Sequence, residues 1–332
     1  MNSMHAELRK DIAMRICRLL LAIAIGICFA EGWSGPARAE YPDKPITLIV
    51  PWAAGGSTDQ TARVLAKAAE AQLGQPIVII NKPGASTTIG MAELAGAKPD
   101  GYTIGTLSST GYLVALQGRD LPFHPIESFS YISYYGDNVI GIAVLADAPW
   151  KGLAELIDAG KKAPGKIKYG TAGIGTTQHL TTESLQRTSG AKFVHIPQNG
   201  SAASMPALLG GHVDFVTETS VWAPFVESKQ VRLLAVTTPA RSKSYPDVPT
   251  MTELGYKSLR SVQAIIAPAG LPEPIRGKLE SVFRKALSDK AFQETMQRLA
   301  MEVVDLPGAE VKALVQKEYD LAKELVAEIK TK

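Results

Sequence analysis

The stretch IVPWAAGGSTDQTARVLAKAAEAQLG, Ile49 to Gly74, decides how this chain is read. A buried-strand pattern, ITLIV over Ile46–Val50, stops at Pro51. Two glycines follow, and a helix then runs from about Thr58 to Leu73, with Ala62, Leu65, Ala69 and Leu73 on one face and Gly74 as its stop. Glycine lets the backbone approach a guest closely, and the free N–H groups of a helix start favour negative charge. The same order recurs downstream. A strand over Ile167–Gly170 runs into TAGIGTTQ and a helix over Thr176–Arg187. Two such turns, one in each half of the chain, predict a single anion held between two lobes, because strand-to-helix junctions lie at the carboxyl edge of an α/β sheet, where ligands collect.

Around these turns, short apolar runs alternate with helical stretches, which predicts α/β architecture with largely parallel sheets. Further strands are expected at Pro76–Ile80, Gly101–Ser109, His212–Thr217, Val231–Thr238 and Ser261–Gly270. Ser130–Val144 reads as one long strand, interrupted by Gly-Asp-Asn, that leaves one domain for the next. A helix is predicted over Leu153–Lys162. The C-terminus is helical, with one apolar face from Ile275, Leu279, Val282, Phe283, Ala286 and Leu287, and another from Val311, Leu314, Val315, Leu321, Ala322, Leu325 and Ile329.

Residues 1–39 have the form of a signal peptide. Arg9, Lys10, Arg15 and Arg18 make a basic start, Leu19–Ala30 an apolar core, and Ala37–Ala39 a small-x-small cleavage site. Twelve apolar residues fall short of the ~20 that span a bilayer. Cleavage after Ala39 removes five basic and three acidic side chains, so the net charge falls from +3 to +1. That balance, with no Lys/Arg-rich run, excludes a basic nucleic-acid face. Cys17 and Cys28 leave with the leader, and with them any disulfide, thiol nucleophile or cysteine metal site.

Neither turn supplies the lysine of a P-loop, and GIGTTQ (Gly173–Gln178) has two of the three glycines of the dinucleotide fingerprint, so no cofactor is expected. His179 and Glu183 share a helix face, but two ligands do not make a metal site, and neither H-E-x-x-H nor G-x-S-x-G occurs. No catalytic residue is assigned. Asp59 is a candidate ligand contact; as a first-turn acid it equally answers the helix dipole, and its carboxylate would repel an anion. Trp52 and Trp222 lie near the loops, to stack on an aromatic ligand or to pack.

In order, YPDKPITLIVPWAAGGSTDQTAR, LGQPIVIINKPGAS, PDGYTIGTLSS, GTAGIGTTQHLTTE, ALLGGHVDF, LLAVTTPARSKSYPDVPTMTELGY and APAGLP resemble the tripartite tricarboxylate transporter receptor (Bug) family of extracytoplasmic solute-binding proteins, over nearly all of residues 40–332. The resemblance implies a two-lobed Venus flytrap, type II-like, with residues 40–141 and 263–332 in one lobe and 142–262 in the other. It implies a monomer in the periplasm, not an enzyme, that captures a small organic carboxylate for a membrane permease; a sensing receptor, or an exported enzyme on the same scaffold, are the alternatives. Main-chain groups of Ala54, Gly55 and Gly56, and of Ala172, Gly173, Gly175 and Thr176, are the implied anchors, with Ser108, Ser109 and Thr110 as polar contacts and His179 as a loop brace. The chain departs from the family at GASTT (Gly84–Thr88), where hydroxyls stand in for glycines, at Gln198, and at Glu218. If Glu218 faces inward, the ligand must offer it a hydroxyl, an ammonium or a protonated acid.

Overall fold

β1 (Ile46–Val50) is buried along its length except for a half-buried Thr47, as befits an interior strand flanked on both edges. The structure, a computed structural model, describes residues 14–16 and 40–330; apart from Arg15, the basic start lies outside the described residues, as do the apolar run, the cleavage site and both cysteines of the expected leader. The chain divides into residues 1–43 and residues 44–332, and the fold set out here is that of the second unit.

α1 (Ser57–Leu73) buries Ala62, Leu65, Ala66, Ala69 and Leu73, and ends where Gly74 turns left-handed (φ 68°) and gives its N–H to the Glu70 carbonyl. After β2 (Ile77–Asn81) come α2 (Thr88–Ala95), β3 (Thr103–Thr106) and α3 (Ser109–Leu116). The expected long strand is two. β4 (Phe129–Asn138) belongs to one sheet and β5 (Ile140–Leu145) to another, with the change at Val139.

The second lobe then builds α4 (Leu153–Lys162), β6 (Lys168–Thr171), α5 (Thr177–Ser189), β7 (Val194–Pro197), α6 (Ser201–Leu209) and β8 (Phe215–Thr219). A 3-10 turn (Ser220–Trp222), α7 (Ala223–Glu227) and β9 (Val231–Val236) follow. β10 (Ser261–Pro268) returns to the first sheet, and α8 (Glu273–Ala286), α9 (Lys290–Arg298), β11 (Leu306–Pro307) and α10 (Gly308–Lys330) complete the first lobe.

The sheet orders are β11-β4-β10-β3-β1-β2 and β7-β6-β8-β5-β9. Both sheets are mixed, which corrects the expectation of largely parallel ones. β1 pairs parallel with β2 and β3, and β6 with β7 and β8, but the crossing strands run against their neighbours: β10 against β3 and β4, β5 against β8 and β9. A chain that leaves one sheet and comes back must enter on strands of opposite sense. Each lobe has its own apolar core. Leu94, Leu113, Tyr131, Val315 and Leu325 belong to the first, and Ile142, Leu156, Tyr169, Phe215 and Leu234 to the second. No helix among the described residues is long and apolar enough to cross a membrane.

Candidate functional site

The two Gly-rich turns superimpose in logic residue by residue. Gly55 (φ 86°) and Gly175 (φ 77°) both take left-handed backbone, and the residue after each, Gly56 or Thr176, is the N-cap of its helix with φ near −70° and ψ near 165°. The Gly55 N–H donates to Asp59 Oδ2 (2.9 Å) and the Gly175 N–H to His179 Nδ1 (3.1 Å), four residues on in each case. These two amides are therefore used to shape their own loops. The Gly173 N–H is likewise taken, by Thr171 Oγ1 at 3.2 Å.

Asp59 is almost wholly buried and its carboxylate is fully engaged. Oδ1 accepts from Asn81 Nδ2 (2.8 Å), and Arg63 holds both oxygens at 2.9–3.0 Å. Burial alone would raise its pKa, but the hydrogen bonds from Arg63, Gly55 and Asn81 outweigh it and hold the carboxyl below the usual range. Asp59 thus braces the loop and lies behind the cavity wall. His179 holds the matching position, its Nδ1 spent on Gly175 and its Nε2 3.8 Å from Glu183.

An inner cavity lies between the lobes. Gly56, Ser57 and Thr58 reach it from the start of α1, Ser108, Ser109 and Thr110 from the start of α3, Gln178 from the first turn of α5 and Ser201 from that of α6. Trp52, Ala53, Asn138, Thr219, Ser261 and Gln263 complete the wall. Four helix N-termini therefore converge on one space, and no Asp, Glu, Lys, Arg or His lines it. First-turn amides have no partner within their helix, and Gly56 and Ser108 cap theirs with backbone alone. Thr58 Oγ1 accepts from Asn138 Nδ2 (3.2 Å), which leaves its own proton to donate. Ser108 Oγ and Asn138 Oδ1 are buried with no hydrogen-bond partner among the described residues.

Glu218 stands one layer behind this wall. Wholly buried, it accepts from Gln178 Nε2 (3.0 Å), Ser201 Oγ (2.5 Å), Ser204 Oγ (2.7 Å) and the Thr219 N–H (2.7 Å), three of which belong to cavity-lining residues. Burial pushes its carboxyl up from the ordinary value, against the pull of those hydrogen bonds. Its oxygens orient the wall, so the donor expected of a ligand comes from the protein instead. Trp222 is also fully buried; its Nε1 donates to the Glu218 carbonyl and its ring meets Tyr245 edge-on.

The inner cavity holds about 20 Å³, room for little more than one water-sized group. Beyond Trp52 and Ala53, which border both spaces, an outer chamber of about 310 Å³ opens between Pro83–Thr87, Ala172–Ile174 and Pro197–Gly200. The lobes meet across it. Ser86 Oγ donates to the Ile174 carbonyl (2.6 Å), and Gln117 Nε2 to the Gly175 carbonyl (3.1 Å). Ala85, Ser86 and Thr87 are all left-handed, at φ 45°, 55° and 74°, a conformation that glycine adopts freely and that costs other residues about 1–2 kcal/mol each.

Of the residues expected to bind, Trp52, Gly56, Ser108, Ser109 and Thr110 line the inner cavity, and Ala172 and Gly173 the outer chamber. Ala54 and Gly55 are exposed, Gly175 and Thr176 are buried, and none of these four lines either space. The Thr176 side chain caps its own helix. Asn138, Gln178, Ser201, Thr219, Ser261 and Gln263 were not anticipated. Asn138 carried a signal: with Asp137 it makes the polar pair of the Gly-Asp-Asn that interrupts an apolar strand. Among the described residues no group of three or more His, Cys, Asp or Glu is placed to hold a metal.

Residues 61–331 match the family model of the tripartite tricarboxylate transporter family receptor. The chain belongs to that family. It is 39% identical over 271 residues, 80% of its length and 83% of the relative's, to a UPF0065 protein encoded in the gbd 5′ region of Cupriavidus necator. It is similar to the periplasmic binding protein BugD (34% identity, TM-score 0.81, 87% of this chain and 98% of that one). It also resembles MatC of Rhodopseudomonas palustris with bound malate (25% identity, TM-score 0.80, 86% and 100%). The fold is the two-lobed one of the family's periplasmic binding proteins.

Proposed function

We propose that this member of the family is a periplasmic receptor that captures a small organic carboxylate in the cleft, its carboxylate group at the inner cavity and the rest of the molecule toward the outer chamber, and hands it to the permease of a tripartite tricarboxylate transporter. The observation that carries this reading is the convergence of four helix N-termini on a space lined by hydroxyls and amides and free of charged side chains. Such a floor attracts an anion through dipoles and N–H donors alone. A cationic cavity would hold an anion more tightly and release it less readily. Residues 1–39 act as the export signal. Residues 40–141 with 263–332 form one lobe and 142–262 the other, a division supported by the change of sheet at Val139 and the return on β10. Malate bound to MatC supports the chemical class.

Magnitudes agree with a transport role. Hydrogen bonds to a charged group contribute about 1.5–3 kcal/mol each, and a helix terminus about 0.3–1 kcal/mol. Four or five such contacts, less the cost of association, leave about −8 kcal/mol, a micromolar Kd. The ligand-binding residues are Trp52, Gly56, Ser57, Thr58, Ser108, Ser109, Thr110 and Gln178, with Asp59, His179 and Glu218 shaping the walls. The chain itself carries out no chemical step in this scheme. Calorimetric titration of the mature chain with small mono- and dicarboxylates tests the reading. At least one acid binds with micromolar Kd, and Gly56→Asp, which puts a carboxylate at the cavity floor, abolishes the heat while the fold is kept. Equal binding by the variant overturns the assignment.

A further inference from the structure

The outer chamber raises a question that the inner cavity does not answer. Its lining is apolar or neutral, with Pro51, Trp52, Ala53, Pro83 and Pro197 among its walls, and a single charged side chain reaches it: Arg119. That arginine is exposed, and its side chain makes no ion pair or hydrogen bond among the described residues. It follows α3 by way of the helix cap Gln117 and the left-handed Gly118 (φ 87°). The start of the same helix, at Ser109 and Thr110, forms part of the inner floor. One element thus presents donors to the inner cavity at one end and a guanidinium to the outer chamber just past the other.

We infer that Arg119 is the second anchor of the cleft: it takes the far anionic group of an elongated ligand whose first carboxylate sits on the helix N-termini. This rests on the carboxylate reading above and adds to it the ligand's length and second charge. α3 rises about 12 Å over its eight residues. That separation exceeds the span of a single carboxylate, so a ligand that touches both ends carries a chain between them, along Trp52 and Ala53, which border both spaces. Gln117 ties this end of α3 to the Gly175 carbonyl, so the guanidinium is positioned when the lobes are together. A guanidinium also presents the paired donors that a carboxylate accepts.

The test uses matched acids, hexanoate against adipate and octanoate against suberate, titrated into the mature chain and its Arg119→Gln and Arg119→Lys variants at low and high salt. In the native chain the better-fitting dicarboxylate binds about five- to tenfold more tightly than its monocarboxylate partner at low salt, and less so at high salt. Arg119→Gln removes that preference by weakening the dicarboxylate alone, and Arg119→Lys keeps part of it. If Arg119→Gln leaves the ratio unchanged, or weakens both acids equally, the inference is overturned while the inner carboxylate site stands. If no acid of either kind binds the native chain, the carboxylate reading falls and takes this inference with it.

Discussion

Ser108 presents a buried hydroxyl to the inner cavity with no partner in the described protein. Ser108→Ala therefore removes a ligand contact without breaking a bond of the fold. Ligand affinity falls roughly five- to tenfold, about 1–1.4 kcal/mol, while the thermal midpoint holds or rises slightly. Glu218 has the opposite profile. Glu218→Ala leaves the donors of Gln178, Ser201, Ser204 and Thr219 without their acceptor, so urea unfolding reports a loss of about 2–4 kcal/mol. The sequence made the two turns legible, because glycines after a strand are a local feature, and the family resemblance pointed to the Ser108–Thr110 trio. It did not reveal which amides remain free. Gly55 and Gly175 look the most available, yet each gives its N–H to the residue four positions on. That choice depends on side-chain direction in the first helical turn, which residue types alone do not encode.

At the scale of elements, β1 and α4 have the bounds that periodicity predicts, because a short β-branched run and an amphipathic ten-residue stretch each carry a clear period. The missed helices α2, α3 and α6 lack one. In α3 the first six residues, Ser109 to Val114, are all buried, so no polar face marks the turn of the helix. The strand expected over Gly101–Ser109 therefore ends at Thr106 and gives way to α3. The change of sheet at Val139 is silent for a related reason: β4 and β5 are both buried throughout nearly all their length. On α10, Leu321 is exposed although it fits the apolar pattern, while Val326 takes a place in the core.

One contact among elements carries its own prediction. His179, His195, Tyr169 and Phe215 stack in a ladder, with ring centroids 4.2, 4.7 and 5.4 Å apart, joining α5, β7, β6 and β8. Burial, and the neighbouring His179, push the His195 pKa down to about 4. Burial lowers His179 too, against the attraction of Glu183. An unfolded chain protonates His195 below about pH 6.5 and the folded one does not until about pH 4. This ladder's contribution to stability is therefore present above pH 6.5 and is lost as the pH falls from 6.5 to about 4. His195→Gln flattens that part of the profile by roughly 1 kcal/mol after solvent screening, as read by denaturant unfolding at pH 7 and 4.5.

For the molecule as a whole, two side-chain hydrogen bonds cross the mouth of the cleft, Ser86 to Ile174 and Gln117 to Gly175, and Leu180 of α5 packs into the first lobe's core beside Leu113. Lys243–Glu302 and Lys257–Glu328 join the lobes away from that mouth. A ligand touching both walls adds to this set and shifts the population toward closure. The double variant Ser86→Ala, Gln117→Ala removes two cross-cleft hydrogen bonds and favours the open form. Without ligand its radius of gyration by small-angle X-ray scattering exceeds that of the native chain, and saturating acid brings the two together. A crystal structure of the mature chain with its bound acid tests the central claim most directly. The account predicts one carboxylate seated between Ser57, Thr58, Ser109 and Thr110 of the first lobe and Gln178 and Ser201 of the second, its oxygens within hydrogen-bond distance of main-chain N–H groups and side-chain donors from both. An acid bound in the cleft with its carboxylate turned away from those helix starts, or held by one lobe alone, contradicts it.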